Sequence, residues 1–306
     1  MKRTLSQKIY SLYYRWRLFD DSILRHFYKP PHIITVEETL CTIIKRKCSL
    51  SRFGDGEISI IYGNSLNFQP YNKQLSLKLK KTLLSQQQNL LIALPRIFND
   101  KWLVDFSSND TSFWKNHLLF WRKKWLKHIN SNIIYGDSLC TRFYSYSFNY
   151  ANASRIYSLW SLIWANRDII IIEGQDSKLG VGNDCFSQAN SIKRIIAPSK
   201  NAFSYYERIL AECYNHNKDA LYLIALGPTA TVLAHDLSIS GRQALDIGHI
   251  DLEYEWWQHK TNKKTTIPGK FCNETFLTKE QASEVVGTID SSALDIYKSQ
   301  IVSIIQ

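Results

Sequence analysis

Two carboxylates, one residue apart, lie in a glycine-rich stretch near the start of the chain. The stretch reads SRFGDGEISIIYGNS and places Gly54 and Gly56 on either side of Asp55, followed by Glu57. Carboxylate oxygens suit Mg²⁺ or Mn²⁺, and a cation held there can bridge phosphate oxygens. Glycine allows a ligand to approach the main chain closely. The alternative is an ordinary type I or II turn, which the common Asp-Gly dipeptide alone favours.

A second glycine-rich stretch follows an apolar run that ends at Glu173. Gly180, Gly182 and Asn183 then resemble the start of a helix, whose backbone N–H groups could cradle a phosphate. The stretch is neither a Walker loop nor a G-x-G-x-x-G sequence, so no standard nucleotide motif applies.

A third junction occurs where the run ALYLIALG is followed by Pro228. Proline is favoured at the first position of a helix, and Thr229 then offers a hydroxyl to an anion or a sugar. The sequence therefore predicts another strand-to-helix junction suited to ligand binding.

An acidic cluster follows the last of these apolar runs. Carboxylates and a histidine delivered by the end of a strand can supply a general base or a further metal ligand. We expect a base among His249, Asp251 and Glu253, although a buried structural histidine is the alternative for His249. The full cluster comprises Asp246, His249, Asp251, Glu253 and Glu255.

The elements that must position these residues alternate between strand and helix. Apolar runs rich in β-branched residues predict strands buried on both faces, separated by segments of helical periodicity. This alternation predicts an α/β fold with a largely parallel sheet flanked by helices, whose ligands bind at the carboxyl ends of strands. The predicted strands are 89–94, 132–136, 168–174, 193–198, 220–227 and 243–248, and the predicted helices are 73–88, 113–130, 202–215 and 229–240.

We divide the chain into a helical extension over residues 1–50, a main domain over 51–257, and a polar loop with a C-terminal helical extension over 258–306. The 306 residues contain no apolar run near the ~20 residues of a membrane span. Six cysteines without metal-ligand spacing and the lack of a signal-peptide pattern predict a cytoplasmic protein with reduced thiols.

The formal net charge of +11 indicates an anionic partner. A nucleic-acid partner is disfavoured because no five or more basic residues follow one another in the sequence. The basic and aromatic N-terminus suits peripheral contact with the inner face of a membrane. The alternative, a helix that caps the main domain, is favoured because its apolar residues do not segregate sharply.

Taken together, the motifs resemble the bacterial glycosyltransferases of the GT-D fold, long described as a domain of unknown function. The resemblance covers Ser51 to Trp257. It is carried in order by RFGDGE with SLNFQPYN, NLLIALP, YGDSLCTRFY, IIEGQDSKLGVGNDCFSQANSIKRIIAPSKNAF, LIALGPTATVLAHDL and ALDIGHIDLEYEW. TRFYSYS departs from the family pattern, which bears on the choice of acceptor.

The resemblance implies a Rossmann-like domain that transfers a hexose from a nucleotide sugar, usually UDP-linked, with Mn²⁺ or Mg²⁺. The acceptor would be a glycan, a lipid-linked glycan or a glycoprotein. The family's D-x-E motif falls on Asp55 and Glu57, and Arg52 with nearby backbone N–H groups would stabilise the leaving diphosphate. The alternatives are a metal-dependent phosphohydrolase and a non-enzymatic nucleic-acid-binding protein.

Overall fold

A computed structural model describes residues 5–270 and 289–306, and its centre is one parallel sheet. Nine strands within these residues follow the order β1-β4-β3-β2-β8-β7-β5-β6-β9, and every pair is parallel. The strands are β1 His32–Ile33, β2 Ser49–Arg52, β3 Leu90–Leu94, β4 Ile134–Asp137, β5 Asp168–Gly174, β6 Ser191–Ala197, β7 Leu221–Ala225, β8 Gln243–Asp246 and β9 Ile301–Ile304.

Helices cover both faces of this sheet. The α-helices are α1 Leu5–Phe27, α2 Val36–Arg46, α3 Asp55–Ile61, α4 Lys73–Leu83, α5 Ser108–Leu126, α6 Tyr150–Trp164, α7 Tyr206–Tyr214, α8 Pro228–Ile239, α9 Ile250–Gln258 and α10 Ser291–Gln300. Short 3₁₀ turns occur at Asp100–Leu103, Ser138–Thr141 and Ala202–Tyr205. No described helix is both long and apolar enough to cross a bilayer.

The strand β5 shows why the central runs are continuously apolar. Ile170 and Ile172 pack into the core on one face, with α4, α5, α7 and α8. Ile169 and Ile171 pack into the core on the other face, with α2, α6 and α9. Successive side chains of a strand alternate between faces, so a strand covered on both sides needs apolar residues at every position.

The α/β fold with a parallel sheet is confirmed, and all six predicted strands are present within a few residues. Three strands were not predicted. The strand β2 reads Ser-Leu-Ser-Arg, and each of its buried serines makes a hydrogen bond, one to helix α8 and one to strand β8. Ser51 Oγ donates to Thr231 O at 2.7 Å, and Ser49 Oγ accepts from Ala244 N at 3.0 Å.

One local alternative and one local prediction were wrong. The stretch around Asp55 is not an ordinary turn but the start of helix α3, with Gly54 at the N-cap. No helix begins at Gly180, since residues 175–190 form turns. Gly180 and Gly182 have φ values of +69° and +79°, in the left-handed region that a right-handed helix excludes.

The segments outside 51–257, predicted to be helical extensions, also contribute to the sheet. β1 pairs with β4, and β9 pairs with β6. The C-terminal segment contains helix α10, whereas residues 271–288 of the predicted loop, including Cys272, lie outside the described residues. The other five cysteines are free thiols in the structure.

A buried ion pair fixes the loop that follows β5. Arg194 Nη1 donates to Glu173 Oε1 at 2.6 Å, and both side chains are at most 2% exposed. The second oxygen of Glu173 accepts from Leu179 N at 2.7 Å, and Arg194 also donates to Leu179 O and to Gln300. The pair thus connects β5, β6, the loop and α10.

Replacing only one member of this pair leaves the other charge buried. We expect Arg194→Met to lower the free energy of unfolding by about 3 to 5 kcal/mol, measured by urea denaturation. The matched double variant Glu173→Gln/Arg194→Met leaves no unpaired charge and is expected to lose less. An equal loss in both variants would show that the cost is one of packing, not of charge.

Candidate functional site

A cavity of about 310 Å³ opens at the carboxyl ends of strands β2, β8, β7 and β5. After β2 the chain continues to β3 on one side of the sheet, whereas the chain after β8 leads to β9 on the other side. Ligands of open α/β sheets bind at such switch points. Its lining residues include Arg52, Gly54, Asp55, Glu57, Phe68, Gln69, Ser138, Arg142, Tyr146, Gly174, Ser177, Ser199, Gly227, Asp246, Gly248 and His249.

An ion pair joins the two strands at the centre of this cavity. Arg52 Nη2 donates to Asp246 Oδ1 at 2.7 Å, and Arg52 Nε donates to the backbone carbonyl of the same aspartate at 2.7 Å. The other carboxylate oxygen of Asp246 accepts from Thr231 Oγ1 at 3.2 Å. Burial raises the pKa of Asp246, and Arg52 opposes that increase. The pair therefore holds a carboxylate and a guanidinium in fixed positions.

Gly248 provides the space for this guanidinium. Its φ is +51°, and a Cβ at this position would lie 2.5 Å from Arg52 Nη2. Any other residue would therefore suffer both backbone strain and a clash with the ion pair.

Asp55 and Glu57 lie together in the first turn of α3. Asp55 is exposed and Glu57 is partly buried. Gly54 N donates to Glu57 Oε2 at 2.7 Å, so this glutamate also caps its helix. Burial of its carboxyl group, with Asp246 and Asp55 nearby, raises the pKa of Glu57 to about 7. An unusual proton affinity in a cleft is characteristic of functional carboxylates.

Gly227 forms the opposite side of the cavity at the start of α8. Its φ is +54°, and a Cβ there would lie 2.5 Å from the ring of Phe68. Thr229, predicted to contact the ligand, is fully buried, and its Oγ1 donates to Gln69 Oε1 at 3.4 Å. Thr229 thus supports the loop that carries Phe68 and Gln69.

Of the three predicted base residues, only His249 lines the cavity. Asp251 is buried in an ion pair with Lys270 at 3.0 Å. Glu253 is buried and accepts hydrogen bonds from Tyr144 N at 3.0 Å and Ser145 N at 2.7 Å. Both carboxylates are therefore engaged away from the cavity, and Glu253 instead fixes the segment that carries Arg142 and Tyr146.

The second glycine-rich stretch also lies away from the cavity. Gly180 N donates weakly to Asp251 at 3.4 Å, and Asn183 Nδ2 donates to Glu255 Oε1 at 2.6 Å. Gly182 lies near Ile289. None of the three predicted residues lines the cavity; the stretch packs against α9.

Several cavity residues were not singled out from the sequence. Some directly follow strands, so their position could have identified them, namely Ser138 after β4 and Pro198 and Ser199 after β6. Arg142 and Tyr146 come from a segment without regular structure, for which residue type alone gives no signal.

The residues present can accommodate a divalent cation held in part by a ligand. Within residues 5–270 and 289–306 there is no cluster of three or more His, Cys, Asp or Glu side chains arranged for a metal. Asp55 and Glu57 provide two carboxylates, and Asp246 is engaged with Arg52 and Thr231. Mg²⁺ commonly takes one or two carboxylates and completes its shell with water and substrate phosphates.

Comparison with known proteins defines the class. The sequence model of the family described as glycosyltransferase GT-D fold matches residues 50–275. The chain belongs to this family.

Two relatives come from streptococci. The chain is 38% identical over 280 residues to glycosyltransferase GlyD of Streptococcus pneumoniae, a match that covers 90% of this chain. It is 35% identical over 243 residues to the probable glycosyl transferase Gly of Streptococcus gordonii, covering 79% of this chain. The matches cover 33% and 35% of those relatives, so the chain spans about a third of their length.

Solved structures share the whole architecture. One, described as the highly conserved domain of unknown function 1792 with a distinct glycosyltransferase fold, has a TM-score of 0.83 and 33% identity, covering 95% of this chain and all of that one. Another, described as a new glycosyltransferase from Streptococcus sanguinis, has a TM-score of 0.81 and 32% identity, covering 90% and 100%.

The raised pKa of Glu57 predicts a pH-dependent stability. Between the unfolded value of about 4.3 and the folded value of about 7, the folded chain keeps a proton that the unfolded chain releases. The contribution of this group to the free energy of unfolding therefore decreases as the pH rises. We expect Glu57→Gln to gain stability relative to wild type between about pH 5 and about pH 8, measured by urea denaturation.

The exposed Glu207 on α7 provides the control. Glu207→Gln is expected to change stability equally at both pH values. A constant difference between wild type and Glu57→Gln across this range would contradict the raised pKa.

Proposed function

We propose that this chain is a metal-dependent glycosyltransferase that moves a hexose from a nucleotide sugar, a UDP-hexose, to a glycan, lipid-linked glycan or glycoprotein. The observation that carries the proposal is the pair Asp55 and Glu57 at the start of a helix, in a cavity at the switch point of the sheet. Family membership supports the transfer of a sugar.

In this proposal, each part of the cavity acts on a different part of the donor. Asp55 and Glu57 would hold Mn²⁺ or Mg²⁺, which when bound supplies positive charge to the diphosphate. Arg52 and the N–H groups around Gly54 lie beside them and stabilise negative charge on the leaving group. Gly227, which lacks a side chain, leaves space for the Phe68 ring, which also lines the cavity.

Transfer breaks the bond between the sugar C1 and the diphosphate oxygen and forms a bond from C1 to an acceptor oxygen. The acceptor hydroxyl must also lose its proton. His249, the one predicted base that lines the cavity, is our candidate to accept it.

Removing either carboxylate tests the metal site. We expect Asp55→Asn and Glu57→Gln to lower the release of UDP from a UDP-hexose by about 100-fold, because the leaving group loses its charge stabilisation. Both should also weaken Mn²⁺-dependent binding of UDP, measured by calorimetry.

Lys81→Ala, an exposed change on α4, is the matched control and should retain full activity. Full activity in both carboxylate variants would show that the metal assignment is incorrect. Release of inorganic phosphate in place of UDP would favour a phosphohydrolase. Salt-sensitive binding of DNA that persists in Asp55→Asn would favour a nucleic-acid-binding protein.

We also propose that α1 contacts an anionic membrane surface. Arg17 anchors the helix to α5 by donating to Leu119 O and by lying 5.5 Å from the Phe120 ring. Along the remaining surface, apolar side chains spaced by three or four residues are between 40% and 74% exposed, which suits insertion between lipid headgroups. They are Ile9, Leu12, Trp16, Phe19, Ile23 and Phe27.

Vesicle binding tests this contact. We expect the chain to sediment with phosphatidylserine vesicles and the double variant Trp16→Glu/Phe19→Glu to remain in the supernatant, because charge prevents insertion. Leu162→Glu, which alters an exposed apolar residue of α6, should bind like wild type. If wild type stays in the supernatant, the exposed apolar residues of α1 do not bind membranes. If wild type elutes as a dimer and the double variant as a monomer, these residues form a contact between two copies of the chain.

A further inference from the structure

A second cavity of about 500 Å³ adjoins the first. The two share only Leu139, Arg142 and Tyr146 as lining residues. Asp137, the last residue of β4, faces the second cavity, and Ser138, the next residue, faces the first. These three residues therefore form a boundary that both cavities have in common.

The charges that line the second cavity balance. Three carboxylates face three guanidinium groups, so the wall has no net charge when all are ionised, unlike a site for phosphate. Amide side chains and aromatic rings complete the lining. The charged groups are Glu37, Asp105, Asp137, Arg96, Arg142 and Arg155, and the others include Asn149, Asn152, Trp102, Phe106 and Tyr146.

Aromatic rings from two parts of the lining make close contacts, and the Phe106 and Tyr146 rings are inclined to each other by 37°. Arg96 Cζ lies 4.8 Å from the centre of the Trp102 ring, and the rings of Phe106 and Tyr146 are 4.9 Å apart. A sugar has an apolar C–H face and a rim of hydroxyl groups, so it matches an aromatic surface surrounded by hydrogen-bonding groups.

One donor in this wall has no partner among the described residues. The Nε of Arg96 is buried and makes no hydrogen bond there. A buried donor without a partner costs free energy that a ligand oxygen can restore. Arg96 lines the second cavity, so its guanidinium is part of the wall that a ligand would contact.

Asp137 provides the complementary acceptor. Its side chain is buried, and one carboxylate oxygen accepts from Leu139 N at 2.9 Å. Burial raises its pKa to about 7, while Leu139 N and Arg96 oppose the increase and Glu37 adds to it. Glu37 is itself paired with Arg155 at the edge of the cavity. Asp137 can therefore accept or donate a hydrogen bond to a hydroxyl group at neutral pH.

We infer that the second cavity binds the acceptor as an uncharged sugar unit, with Trp102 and Tyr146 against the ring and Arg96 and Asp137 on its hydroxyl groups. This inference rests on the proposed function, since it places the acceptor beside the donor. The shared wall of Leu139, Arg142 and Tyr146 is where the reacting hydroxyl would enter the first cavity.

Neutral disaccharides test the site independently of catalysis. Cellobiose and N,N′-diacetylchitobiose are added to the intact chain, and binding is measured by saturation-transfer difference NMR. We expect at least one to bind wild type, and Trp102→Ala and Arg96→Ala to weaken that binding by about tenfold or more. Because Trp102 also packs against the core, the partly exposed Asn152→Ala is the less disruptive second variant.

Asp55→Asn and Lys81→Ala should bind the disaccharide like wild type, because both changes lie outside the second cavity. Binding that persists unchanged in all three second-cavity variants would overturn the inference, as would failure of both disaccharides to bind wild type at millimolar concentration.

Titration with UDP and Mn²⁺ on the same samples separates the two ideas. UDP binding should be unchanged by Asn152→Ala. If UDP fails to bind wild type while a disaccharide binds in a manner sensitive to Trp102 and Arg96, the donor assignment fails and the sugar site stands.

Discussion

The ion pair between Arg52 and Asp246 is the constraint on which the site depends. It joins β2 to β8 at a place in the sheet where the chain leaves in opposite directions. The aspartate is buried and is stabilised by the arginine and by Thr231. Gly248 must lack a side chain to make room for the guanidinium. Breaking the pair would leave a buried charge beside the carboxylates of α3.

This arrangement explains why polar residues occur inside an otherwise apolar core. Thr231 donates to Asp246 and to the backbone of Arg52, and Ser51 donates to the backbone of Thr231. Both of these hydroxyl groups therefore bond to groups that position site residues. The helix α8 therefore serves both as a cover for the sheet and as a support for the ion pair.

The sequence predicted the parallel sheet because strands covered on both faces carry apolar residues at every position, as in Asp168–Gly174. Arg52, Gly54, Asp55, Glu57 and His249, which the sequence singled out, line one cavity because strand ends meet at one edge. The sequence could not show that Asp251 and Glu253 are engaged away from the cavity, because residue spacing does not identify the groups that a side chain contacts. Lys270 and the backbone of Tyr144 and Ser145 come from distant segments and engage those carboxylates. Strand β2 was not predicted because its two serines are polar. They are buried in the structure because their hydroxyl groups make hydrogen bonds.

The small number of residues shared by the two cavities has a consequence for substitutions in this chain. Asp137 and Ser138 are adjacent in the chain but face different cavities, and only three lining residues are common to both. Substitutions in the remainder of the second cavity can thus accumulate without disturbing the carboxylates of α3 or the ion pair. Such a layout allows the lining of one cavity to change while the lining of the other stays the same.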